Sequence, residues 1–181
     1  MTYPILDQFP EIKSAVSTAD HIDIKTIESD QPLRHFLAGL FSYIPFWMRG
    51  LYAIRWGFVR LLGMTQTGMP QSVEVDPKDI SFTPGEGASF FKVVTAEEES
   101  HYFAAAKERH LTAILGIIVE PLAGNNRRLH VATVVNYHHW TGPVYFNTIR
   151  PFHHLVVAAM MKSAVTYQPP TTTPAPVSAN T

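Results

Sequence analysis

Cysteine is absent from the 181-residue chain, which excludes disulfides, thiolate zinc sites, iron–sulfur clusters and cysteine nucleophiles. A small secreted scaffold ordinarily relies on such staples, so a reducing, cytoplasmic compartment is expected. Charge is scarce as well. Lys, Arg, Asp and Glu make up 16% of the residues, against about 25% in an average domain. The formal net charge is -1, which excludes a nucleic-acid binder working by bulk electrostatics. Little surface charge leaves room for an apolar groove, cavity or partner surface. Long apolar runs are missing too. The stretch nearest to a membrane span, residues 36–62, is interrupted by Pro45, Arg49, Arg55 and Arg60. The opening Met-Thr-Tyr-Pro-Ile-Leu-Asp lacks the basic and apolar regions of a secretory signal. No nucleophile elbow, phosphate loop or HExxH motif occurs.

Apolar residues make up 46% of the chain, enough to build the core of one α+β domain. Residues 1–18 read as a loose leader. The run from His21 to Ile27 alternates polar and apolar residues, the pattern of a half-buried strand. Asp30-Gln31-Pro32 predicts a helix start, with Asp30 near the N-cap, and the helix should run from Leu33 to Tyr43. Pro45 breaks it, and a second helix is predicted from Phe46 to Leu62, closed by Gly63. Residues 64–87 read as loop and residues 88–94 as a strand. The next stretch supports two readings. Thr95-Ala96-Glu97-Glu98 resembles a capping box, and residues 96–109 have helix-forming composition. Residues 110–120 and 128–139 read as a hairpin closed by the turn at 121–126. A long last helix is expected from Pro143 to Val165, with Thr141 or Gly142 as N-cap. Its buried face should carry Tyr145, Ile149, Phe152, Val156, Ala159, Met160 and Ser163, with a kink at Pro151. From Gln168 a Pro/Thr-rich tail should be disordered.

Residues 132–157 resemble an uncharacterised bacterial domain-of-unknown-function family, number 2867, of the SRPBCC (START-like, Bet v 1-like) superfamily. The likeness rests on a Thr-x-Val strand at Thr133-Val134-Val135, a turn at Gly142-Pro143, and Ile149-Arg150-Pro151-Phe152-His153 before Leu155-Val156-Val157. His110-Leu111 and the Pro45…Trp47…Arg49…Leu51…Arg55 pattern add to it, and the resemblance spans residues 19–165. It implies a helix-grip fold: a curved antiparallel sheet, two short helices near the N-terminus and a long C-terminal helix. It favours strand and turn over helix for residues 95–109. It also implies a ligand space between sheet and C-terminal helix. No catalytic residue carries over.

Six residues are candidate ligand contacts: His110, Asn136, Tyr137, Tyr145, Arg150 and His153. His153 lies just past Pro151, so its ring either satisfies a backbone carbonyl freed by the proline or stands at a cavity mouth as an acid/base near neutral pH. Arg150 either binds an anionic head group or pairs with an acid on a strand. Asn136, Tyr137 and Tyr145 either line a pocket or belong to the core. Nine histidines invite a metal reading. However, neighbours such as His138-His139 or His153-His154 diverge on a strand or helix, and Asp and Glu are absent from residues 121–181. No metal or cofactor is therefore expected. Gly85-Glu86-Gly87 precedes a strand, the wrong context for a dinucleotide loop. Residues 33–62, rich in arginine and aromatics, read either as a lid or as a membrane-contacting surface. The leading expectation is a small apolar or amphipathic ligand between sheet and last helix. The alternatives are a cyclase- or isomerase-like enzyme using His153, Arg150 or His110, and a membrane or interaction domain acting through residues 33–62.

Overall fold

The computed structural model describes residues 3–48, 50, 57, 60, 74–88 and 91–169. Two short helices come first, α1 (Pro4–Asp7) and α2 (Pro10–Ser17), each opened by a proline in its first turn. Strand β1 (His21–Ser29) leads to helix α3 (Leu33–Ser42). A 3-10 turn at Pro77–Asp79 precedes the two-residue strand β2 (Gly87–Ala88). Then follow β3 (Phe91–Glu97), β4 (His101–Lys107), β5 (Leu111–Pro121), β6 (Arg127–Tyr137) and the 25-residue helix α4 (Thr141–Val165). All strand pairs are antiparallel, in the order β1-β6-β5-β4-β3-β2, so β1 is an edge strand beside the long β5–β6 hairpin.

The sheet is covered on both faces. On one side α3 and α4 pack over Tyr102, Ala104, Ile117, Leu129 and Val131. On the other, Leu6 of α1 and Ile12 of α2 sit among Phe103, Ile114, Ile118, Ala132 and Val134. The expected loose leader instead forms the two helices α1 and α2. The physical reason is that the hairpin strands are apolar on alternate positions of both faces, and the second face needs a cover. Leu6 and Ile12 supply it and are 0% and 1% exposed.

Residues 95–107 are strand and turn, against their helix-forming composition. In β4, Tyr102 and Ala104 face one layer and Phe103 and Ala105 the other. Alanine fits there because both layers press on the strand. Phe103 lies across its partner Gly116, where a Cβ would come 2.4 Å from the ring. Glu99 takes a left-handed φ of 62° in the tight turn after β3. Its Oε1 accepts the Leu33 N–H at 3.1 Å, and its Oε2 pairs with Arg127. The N-cap of α3 is Pro32, not Asp30, and the cap acceptor comes from this distant turn. Leu33, Phe36, Leu37 and Leu40 of α3 are all buried. They belong to the core. Most of the expected second helix lies outside the described residues, although positions 46–48, 50, 57 and 60 are helical. Nearly all of the expected tail lies outside them as well.

Helix α4 runs unbroken through Pro151. Its buried residues are Thr141, Gly142, Tyr145, Phe146, Val157, Met161 and Ala164. Phe152, expected on the buried face, is 44% exposed. Apolar side chains surround much of this helix, so periodicity alone does not fix the inward direction. Among the described residues, no helix is long and apolar enough to cross a membrane. Leu6→Ala is expected to lower stability by about 2–5 kcal/mol, measured by urea denaturation. An unchanged midpoint would show that the N-terminal helices are not part of the cooperative unit.

Candidate functional site

Under α4 the apolar packing divides in two. Tyr145 and Phe146 pack with Leu111 and Val135 at one end of the helix. Val157, Met161 and Ala164 pack with α3, Leu129 and Val131 at the other. Polar side chains lie between. In the β1–β6 register His21 stands opposite Val135, Asp23 opposite Thr133, and Lys25 opposite Val131. Strand alternation therefore turns His21, Asp23 and Lys25 towards α4, while Ile22 and Ile24 turn to the α1–α2 side. The helix brings His153 and His154 down onto this row.

The contacts form one network. Lys25 Nζ donates to Asp23 Oδ2 at 2.6 Å and reaches His154 Nδ1 at 3.0 Å. His154 Nδ1 also lies 3.3 Å from Asp23 Oδ2. His154 Nδ1 faces both groups: it accepts from the ammonium when its proton sits on Nε2 and donates to the carboxylate when Nδ1 carries one. His153 Nε2 lies 3.3 Å from the Thr133 hydroxyl. The His21 ring packs against Phe146 at 4.9 Å, and its Nε2 is buried with no hydrogen-bond partner among the described residues. The group opens to solvent at the β1 edge, where Asp23 and Lys25 keep about a fifth of their side-chain surface.

Burial shapes its electrostatics. Desolvation pushes the His153 imidazole down to about 4, helped by the neighbouring His154 and Lys25 charges against the pull of Asp23. His153 is thus neutral at neutral pH and is not an acid/base poised there. Desolvation also lowers His21, and the Arg150 charge adds to that. Burial tends to raise the Asp23 carboxyl. The hydrogen bond and charge of Lys25, with His154, outweigh it and hold the group below its ordinary value.

The six sequence candidates separate. His153 is in the network. Arg150 is exposed on α4 and close enough to act on His21 and Tyr137 by charge. It has no hydrogen bond or ion pair among the described residues. Tyr137 lies beside Phe146, ring centroids 6.1 Å apart, and its N–H donates to Asp20 at 2.6 Å. Tyr145 is buried in the apolar cluster with the His110 ring edge-on at 5.0 Å. Asn136 lies on the opposite sheet face. Its Nδ2 donates to the Ala15 carbonyl and to Thr18 Oγ1, both at 3.0 Å, and so closes the C-terminal end of α2. His21, Asp23, Lys25, Thr133 and His154 were not anticipated. His138 and His139 point to other partners, Thr112 and Thr141. No group of three metal-ligating side chains occurs among the described residues.

Residues 15–160 match the profile of DUF2867, a family of proteins of unknown function. The chain belongs to the DUF2867 family. The match takes in β1, the whole sheet and most of α4, and thus every member of the polar network. No curated protein matches the chain.

The lowered His153 value has a measurable consequence. Unfolded, the ring takes up a proton near 6.5; folded, it does so only near 4. Between these values the unfolded chain binds the extra proton, so stability is full above the unfolded value and falls as pH drops towards the folded one. His21 and Asp23, both lowered, act with the same sign. Allowing for its partial exposure, His153 should contribute on the order of 2 kcal/mol to that loss. Urea denaturation at about pH 7 and about pH 4.5 measures it, and His153→Gln should flatten the difference. An equal pH slope in the variant would refute the assignment.

Proposed function

We propose that the protein binds a small amphipathic molecule with an acidic group, at the polar break between β1 and α4. The acidic group faces Arg150 and Lys25, and the apolar part lies against Phe146 and Tyr137. One observation carries this reading: a row of polar side chains on β1 is turned beneath a helix, where apolar residues would pack at lower cost. A buried ion pair is often no better for stability than apolar residues of the same shape, and perturbed titratable groups gather at functional sites. Donors also predominate. Lys25 and His154 lie against the one carboxylate, Asp23, and Arg150 reaches the same row by its charge on His21. The likeness to START-like domains supports the same place, since their ligands lie between sheet and C-terminal helix. An isomerase- or cyclase-like reaction is the weaker reading, because a histidine held near 4 is a poor base at neutral pH.

The test is a titration of the full chain with cis-parinaric acid, a fluorescent fatty acid, together with native mass spectrometry of the purified protein. Saturable one-to-one binding is expected, weakened at least about tenfold by Arg150→Ala, the loss of one charge-assisted contact. Non-saturable uptake, or equal binding by Arg150→Ala and a His21→Phe variant, would sink the proposal.

A further inference from the structure

Three side chains at the β1 edge meet at one ring nitrogen. His154 Nδ1 lies 3.0 Å from Lys25 Nζ and 3.3 Å from Asp23 Oδ2, and Lys25 and Asp23 are themselves joined at 2.6 Å. The nitrogen thus faces an ammonium that can only donate and a carboxylate that can only accept. It serves one of them at a time. While Lys25 holds Asp23, the ammonium has protons for both neighbours, and Nδ1 accepts with the ring proton on Nε2. Once the ammonium is drawn to another anion, Asp23 loses its cation, and the ring can replace it only by presenting a proton at Nδ1. The His154 side chain keeps 37% of its surface exposed, so that proton reaches it from water.

The surrounding groups leave this exchange to His154. On β1 the His21 ring stands 6.2 Å away by centroids, beyond Asp23 and Lys25. On α4 the His153 ring is 6.3 Å away and turned to the Thr133 hydroxyl, and Arg150 lies one turn earlier, acting by charge on His21. Strand β6 adds Thr133 and Tyr137, the latter beside Phe146. His154 is the ring that reaches the carboxylate.

We propose that His154 is a proton switch for the acidic ligand: when the ligand's anion engages the Lys25 ammonium, Nδ1 changes from acceptor to donor and the protonated ring holds Asp23 in place of the lysine. The inference rests on the reading that an acidic group meets Lys25. It adds that binding and protonation support each other. A protonated ring supplies the charge that Asp23 gives up, so Lys25 is freed for the ligand as pH falls through the range in which imidazoles ordinarily titrate. By the same linkage, the ligand's arrival draws a proton from solvent. No covalent bond changes.

The full chain is titrated with decane-1-sulfonate, whose head group stays ionised, so a proton taken up goes to the protein. Calorimetry at about pH 7.5 in Tris and in triethanolamine, cationic buffers of unlike ionisation heat, should show proton uptake with binding. The affinity should tighten at least about threefold from about pH 8 to about pH 6. His154→Gln, whose amide takes no proton, should lose both effects. Nitrogen-15 spectra of the histidine rings give the direct readout. At about pH 8, Nδ1 of His154 should be unprotonated in the free protein and protonated in the complex. Lys25→Met should show it protonated with no ligand, and Lys25→Gln makes the same test should the first variant not fold. Saturable binding without proton uptake or pH slope overturns the switch and leaves the acidic-ligand reading standing. A slope that persists in folded His154→Gln assigns the proton elsewhere and overturns it too. No binding at either pH sinks the acidic-ligand reading and the switch together.

Discussion

Asp23 pairs with Thr133 and Lys25 with Val131, and this registration of an edge strand decides what lies beneath the long helix. Side chains alternate with a period of two, so a slip by one residue would exchange the faces of β1. Ile22 and Ile24 would then face α4, and His21, Asp23 and Lys25 would lie among Leu6, Ile12 and Val134. Neither side of the sheet is open water, so the polar row must be met by polar partners wherever it goes. Beneath α4 it is met by His153 and His154. On the other face Ile22 and Ile24 pack into the apolar layer of Leu6, Ile12, Ala132 and Val134. The register is thus selected by polar satisfaction on one face and by burial of two isoleucines on the other.

The remaining strands hold β6 where this selection can operate. β5 and β6 pair from Leu111–Tyr137 to Pro121–Arg127. At the turn end, Arg128 bridges Glu28 of β1 and Glu120 of β5, and Glu120 also meets His130. These exposed pairs contribute little individually. Their use is geometric, since they tie three strands at the end remote from His21. Helix α3 is tied to the turn between β3 and β4 by Glu99 at its N-terminus and by Arg34, which pairs with Glu98 and lies over the Phe82 ring. Close approach of α3 and α4 depends on Gly39, where a Cβ would lie 2.5 Å from the Tyr167 side chain.

Period-two patterns made most of the sheet legible in the sequence. β1, the β5–β6 hairpin and the turn at 121–126 all follow from alternation and turn residues. Residues 95–107 misled composition because alanine is both a helix former and the residue that fits a strand pressed from both sides. The N-terminal helices were missed for a related reason. Two short helices opened by prolines have little propensity of their own, and they form because the sheet presents a second apolar face. That face was written in β5 and β6, where Ile114, Ile118, Ala132 and Val134 alternate with Leu115, Ile117, Val131 and Val135. The same signal would have found the polar network. If both faces of the sheet are covered, the polar half of His21–Ile27 cannot point to water. Of the residues around the polar break, the sequence reading named His153, Arg150 and Tyr137. Asn136 and Tyr137 are neighbours on one strand and so face opposite sides, Asn136 towards α2 and Tyr137 towards Phe146 of α4.

Helix α4 joins these points. Its inner side is polar at its centre, with His153 and His154 on the sheet, and its outer side is apolar at Val144, Phe152 and Leu155. For that stretch the amphipathic pattern of a surface helix is reversed. Folding alone favours the opposite arrangement on both sides, since apolar residues stabilise when buried and polar groups lose least when left in water. Two departures in opposite directions on the same four turns are not explained by a single packing compromise. Pro151 lies at the centre of this stretch and is itself exposed. Its missing N–H leaves the Asn147 carbonyl without its helical partner on the water side. The helix therefore carries its weakest backbone bonding in the segment where its two faces are least suited to an isolated globular domain.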